Sequence, residues 1–116
     1  MRNFMTIQIE LQALPNQKAS VLLDDQECEI QVRQMGNSLY ATLKVDDETI
    51  FQNILCPLAT PLNGFEVLGF KGALFFLDTK GHEAPQWEGL GDRWLLFFAS
   101  ESDPEYEELM DARNLH

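Results

Sequence analysis

A strict period of two runs through the first half of the chain and limits what it can fold into. In "TIQIELQ", Ile7, Ile9 and Leu11 alternate with Gln8, Glu10 and Gln12. In "ECEIQVR", Cys28, Ile30 and Val32 alternate with Glu27, Glu29, Gln31 and Arg33. In "SLYATLKV", Leu39, Ala41, Leu43 and Val45 alternate with Ser38, Tyr40, Thr42 and Lys44. Successive side chains of an extended chain point to opposite faces, so each run is a strand with one face buried and one wet. Between the second and third runs, "MGNS" (Met35 to Ser38) puts Gly36 and Asn37 where a tight hairpin turn needs a positive φ. "LDDQE" is a similar turn before Cys28, and "VDDET" turns into "TIFQNILC". Hairpins in such close succession predict an antiparallel meander.

The second half reads differently. "PLATPLNGFEVLGFKG" holds two prolines and three glycines and is mostly loop, with Phe65, Val67, Leu68 and Phe70 able to pack. "ALFFLDT" and "RWLLFFAS" are continuous apolar runs. They read as central strands covered on both faces, or as strands whose outer face a partner chain buries. "DPEYEELMDARNL" alone looks helical. Asp103 can cap it, Pro104 suits its first position, and Glu105, Glu107 and Glu108 suit the positive end of its dipole. Tyr106, Leu109 and Met110 would share one face of that helix and form a candidate docking arm. The expectation is an all-β fold, mainly an antiparallel meander in a small sandwich or barrel, with a short C-terminal helix. Residues 1–100 form the β-domain and residues 101–116 the acidic arm or helix.

Charge and length exclude several classes. The chain has 116 residues, enough for one domain, and 19 acidic against 8 basic residues give a net charge of −11, which repels a phosphate backbone. Six of the acids (Glu101, Asp103, Glu105, Glu107, Glu108 and Asp111) crowd the last sixteen residues, where Arg113 is the one basic side chain. Such a tail is a solvated end or an arm that docks on a basic partner. The longest apolar runs, "ALFFL" and "WLLFFA", are far shorter than the ~18 residues of a membrane span, and no signal-peptide pattern opens the chain. A soluble protein made in a cytoplasm is expected, with no nucleic-acid or membrane partner. Cys28 and Cys56 fall on apolar stretches outside any metal or redox spacing and read as small buried hydrophobes.

One loop invites a chemical reading. "LDTKGHEAPQWEGLGDRWLLFF" (residues 77–98) sets Asp78, His82, Glu83, Glu88, Asp92 and Arg93 between two apolar runs. It holds no serine or cysteine nucleophile, and Thr79 has no motif around it. His82 and the terminal His116 give no zinc spacing, and carboxylate pairs such as Asp78 with Glu83, or Glu88 with Asp92, arise easily by chance among so many acids. "GLGD" is too short for a dinucleotide fingerprint. No catalytic, cofactor-binding or metal-binding residues are assigned, and no cofactor is expected. A structural role uses the same residues more fully. Asp78 and Thr79 can bind the backbone of the turn, and Gly81 can close it in the left-handed conformation. Gly89 and Gly91 let Leu90 tuck inward, Trp87 can pin the loop or anchor an interface, and Arg93 can pair with Asp78 or Asp92.

Several stretches together resemble a known family. "PNQ" (Pro15–Gln17), "SVLLDDQECEI", "SLYATLKV", "ILC", "FKGALFFLDTKG" and "WEGLGDRWLLFF", in that order over residues 5 to 99, resemble the baseplate plug proteins of contractile-tailed bacteriophages. "DT-x-G" followed by "GLG-x-R", here Asp78, Thr79, Gly81, Leu90, Gly91 and Arg93, looks like the family's hallmark. "HEAPQW" and "LDDQ" depart from the usual pattern, which leaves the loop details less defined than the assignment. The resemblance implies a virion structural protein without enzymatic activity. It would be assembled in the host cytoplasm and fixed in the tail baseplate near the hub and tail tube. Its expected partners are other baseplate proteins (hub, tail tube or sheath initiator), in multiple copies within a symmetric assembly. The alternatives are a tail assembly chaperone or adaptor absent from the mature virion, and a small carbohydrate-active or carbohydrate-binding module.

Overall fold

A computed structural model describes residues 7–59, 62 and 72–99. Among these residues seven strands follow one another: β1 (Ile7–Ile9), β2 (Asn16–Leu23), β3 (Gln26–Met35), β4 (Ser38–Val45), β5 (Glu48–Leu55), β6 (Ala73–Asp78) and β7 (Trp94–Ala99). They form two antiparallel sheets, the meander β2-β3-β4-β5 and a three-stranded sheet ordered β1-β7-β6. The fold is all-β, as the alternation requires. The C-terminal helix, with Tyr106, Leu109 and Met110, lies outside the described residues, as do Phe65, Val67, Leu68 and Phe70. The helical segment among the described residues is one 3-10 turn, Trp87–Gly89.

The two sheets close on one core. Ile30, Val32 and Leu43 from the meander and Leu74, Phe76 and Phe98 from the smaller sheet belong to the same buried cluster, each at most 2% exposed. Sheets with one apolar face each are stable only when those faces are stacked. Cys28 and Cys56 lie in this cluster as free thiols. Burial pushes Cys56 up to about 12; burial, with a smaller push from the charge of Asp46, raises Cys28 to about 11. Both should therefore resist a disulfide reagent at neutral pH while the protein is folded and react promptly in denaturant. Rapid labelling of the native protein would contradict that burial.

Turn chemistry sets the register of the meander. Two-residue connections join Leu23 to Gln26, Met35 to Ser38 and Val45 to Glu48, each a cross-strand pair. Gly36 supplies the positive φ at the middle turn (+63°). At the other two, aspartate pairs do so: Asp24 at +50° and Asp25 at +62°, then Asp46 at +50° and Asp47 at +69°. Positive φ at both central residues matches the twist of the flanking strands, and aspartate tolerates it better than most residues. Glycine tolerates it better still at the second position, so Asp25→Gly should stabilise the protein by about 0.5 kcal/mol. A lower urea midpoint for that variant would contradict the assigned turn.

The late apolar strands follow the sequence expectation only in part. β7 lies between β1 and β6, whereas β6 is an edge strand of its sheet. Its free edge is covered by irregular chain: Leu58 bridges Phe76, Ala59 N–H donates to Phe76 O (2.8 Å) and Leu62 N–H to Leu74 O (2.7 Å). A continuous apolar run reports burial of both faces, not a strand's place in the hydrogen-bond ladder. On the face away from the core, Phe75 stacks on Phe97 with ring centres 5.8 Å apart, and Leu77 is 40% exposed.

Candidate functional site: the loop between β6 and β7

The connection from Asp78 to Arg93 is fastened chiefly at its two ends. Asp78 closes β6, and Arg93 immediately precedes β7, whose first residue Trp94 pairs with Asp78. That register brings the Arg93 fork against the Asp78 carboxylate, with Nε to Oδ1 and Nη2 to Oδ2 both at 2.8 Å. The same carboxylate accepts the backbone N–H groups of Lys80 (2.9 Å) and Glu83 (3.0 Å). The Asp78 side chain is fully buried, while that of Arg93 is 26% exposed. The Arg93 hydrogen bonds above all, then the two backbone donors and the guanidinium charge, hold Asp78 well below the ordinary carboxylate range, against the opposing push of burial. Arg93 is raised in turn by Asp78 first and Glu83 second.

The rest of the loop hangs on this pair. Arg93 Nη2 also meets Glu83 Oε2 at 3.1 Å, and the guanidinium carbon lies 4.4 Å over the Trp94 ring. Trp94 Nε1 donates to Glu83 O (3.0 Å), and both the N–H and the hydroxyl of Thr79 donate to Arg93 O (2.8 and 2.9 Å). Asp92, the other acid considered for Arg93, instead faces Lys80 at 3.6 Å in an exposed pair of little energetic weight.

The glycines divide by cause. Gly91 has φ +83°, and a Cβ there would collide with the carbonyl oxygen of Leu11. Leu90 beside it is 2% exposed, tucked into the core as the flanking glycines allow. Gly81 does not take the left-handed conformation expected of it. Its small size serves packing instead, since a Cβ would lie 3.2 Å from Arg93 Nη2 and 3.4 Å from Asp78 Oδ2.

Two glutamines with no sequence motif tie this loop to the opposite sheet. Gln34, near the end of β3, donates to Gln86 Oε1 (2.8 Å) and accepts the Trp87 N–H (3.2 Å), while Gln86 donates to Asn37 O (2.9 Å). Trp87, half-buried, packs against the core. "PNQ" also acquires a role: Gln17 accepts the Gln12 N–H (2.9 Å) and donates back to Gln12 O (2.5 Å), and Asn16 accepts from Gln31 (3.2 Å). The segment that Gln17 clamps contains Gln12 and Leu14, next to the Leu11 carbonyl that faces Gly91. One end of the sandwich thus gathers Thr79, Gly81, Trp87, Gly91 and Arg93 at one braced rim, over the buried Leu90 and the buried Asp78 carboxylate.

A carboxylate held by four donors and well below its usual range is a poor proton acceptor. Among the described residues, no group of three or more His, Cys, Asp or Glu side chains is placed to hold a metal. Comparison with known proteins gives the site its context. No curated protein matches the chain. A family model, described as cyanophage baseplate Pam3 plug gp18, matches residues 5–103, a span that takes in every described strand and the whole braced loop. Over that length, the chain belongs to the family of phage baseplate plug proteins.

Proposed function

We propose that this chain is a non-enzymatic structural component of a contractile tail baseplate, filling or clamping a site near the central hub and tail tube. The family match over residues 5–103 carries the reading. The braced loop supports it, because its polar groups are engaged in holding shape, and a surface of fixed shape binds a protein neighbour at low entropic cost. Trp87, Gly91 and Arg93, held in place by the buried Asp78 carboxylate and the inward Leu90, would set the contour presented to hub, tube or sheath-initiator proteins. The acidic arm, residues 101–116 with Tyr106, Leu109 and Met110, would be a second point of attachment. By occupying its site in several symmetric copies, the domain stabilises the baseplate before contraction.

Quantitative mass spectrometry of gradient-purified tails tests this. A fixed small number of copies per particle is expected. Absence from tails despite abundance in the infected-cell lysate would overturn the virion role and point to an assembly chaperone.

A further inference from the structure

The sheet edges are not equally protected. Among the described residues, β1 has three, β5 is interrupted by register shifts with Asn53 at φ +48°, and β6 is covered by Leu58, Ala59 and Leu62. β2 is different: eight residues in unbroken register with β3, and no other strand beside it among the described residues. Bonded pairs recur at every second residue of an antiparallel ladder. Gln34 N–H donates to Pro15 O (2.8 Å), which fixes the parity. Gln17, Ala19, Val21 and Leu23 therefore turn their main chain toward β3, and Lys18, Ser20 and Leu22 turn theirs outward. The latter three are also exposed, Leu22 by 62%. An edge this long and regular, with an exposed leucine, is a template for another strand.

The flanking chemistry selects the strand. Ser20 pairs with Glu29 and Leu22 with Glu27 across the ladder. A groove of about 510 Å³ on this outer face is lined by Ser20, Leu22, Glu27, Glu29, Lys44 and Asp47. Glu29 makes a loose, exposed ion pair with Lys18 at 4.0 Å and stands opposite Lys44 of β4, so its carboxylate is flanked but not tightly held. A strand added at this edge would lie about 10 Å from β3. A long basic side chain opposite Ser20 can span that gap, because serine leaves the way to Glu29 open.

We propose that the β2 edge takes an extended segment of a neighbouring baseplate protein as an added strand. A basic residue of that segment reaches Glu29 across Ser20, and an apolar residue two positions away lies beside Leu22. The mode is strand addition, in which main-chain bonds supply affinity and alternate side chains supply specificity. The proposal rests on the baseplate reading only for the neighbour's identity.

The test compares full-length variants in two assays. Ser20→Pro removes an outward N–H and leaves the β3 ladder intact, so the isolated variant should melt close to wild type. Its copy number in purified tails should fall at least roughly tenfold, as should that of Glu29→Lys. In the second assay, the isolated chain is titrated with a short peptide alternating valine and arginine. The amides of Lys18, Ser20 and Leu22 should shift, and they should not shift for Glu29→Lys or with a peptide carrying glutamate for arginine. Wild-type copy numbers for both variants would overturn the proposal. So would peptide-induced shifts centred elsewhere, or a wild-type dimer that Ser20→Pro renders monomeric, since that would assign the edge to a second copy. If Ser20→Pro fails to fold, Glu29→Lys decides. If the wild-type chain is missing from tails, the baseplate reading fails while the peptide assay still judges the edge.

Discussion

Gly91→Ala should lower the thermal midpoint by roughly 10–20 °C. Two costs add at this position. An L-residue held at φ +83° loses about 1–2 kcal/mol relative to glycine. The new methyl would also occupy the place of the Leu11 carbonyl oxygen, so the β1–β2 connection must move, an overpacking cost of about 1–3 kcal/mol. That connection cannot move freely, because the Gln17 side chain holds Gln12 by its N–H and its carbonyl. Far-ultraviolet circular dichroism melts of the two proteins check this. A midpoint within about 3 °C of wild type would show that the close approach of Gly91 to Leu11 is not as described.

Asp78→Asn should cost a comparable amount, on the order of 10 °C at neutral pH, with a pH signature that the glycine substitution lacks. Asparagine keeps the shape but removes the charge that Arg93 is held against, and its amide has one acceptor oxygen where the carboxylate serves two N–H groups of Arg93 and two of the backbone. The folded-state pKa of Asp78 lies below its unfolded value of 3.8. Stability from such a group is fully present above the unfolded value and is lost as pH falls toward and through the folded one. The gap between wild type and Asp78→Asn should therefore be widest at about pH 5 and above, and narrow steadily below 3.8. Urea unfolding of both proteins between about pH 6 and pH 2 measures it. A gap that stays constant over the range would remove the depressed pKa, and with it the account of the ion pair as the loop's main fastening. Arg93→Ala probes the pair from the other side and should likewise lower the midpoint, because it leaves the buried carboxylate unpaired.

Much of the braced end was visible as residue types but not as contacts. The expectation for Arg93 held two acids open. Adjacency in the chain favours Asp92, yet Asp78 is the partner, because the β6–β7 register sets it opposite Trp94 while Asp92 faces Lys80. The turn position of Gly81 suggests backbone freedom, whereas its small size is what the packing against Arg93 and Asp78 uses. Gln34 and Gln86 belong to no motif in the sequence. They lie fifty-two positions apart, and a polar residue near a strand end looks the same whether it is solvated or bonded across the sandwich. Gln34 stands at a core-facing position of β3, opposite Leu39. That break in the apolar alternation was the one trace of its role.

The sequence by itself determined the meander. Side-chain alternation fixes which face of each strand is buried, and the Asp-Asp and Gly-Asn turns fix where strands reverse, so both are local properties that the chain carries at every residue. Only the tertiary structure decided that β1 joins β7 in a second sheet, that β6 ends as an edge covered by Leu58, Ala59 and Leu62, and that Gly91 lies against Leu11. Those pairings join residues far apart in the chain. Their loop-closure cost is met by burial of the shared core as a whole, to which no single stretch of sequence bears a local mark.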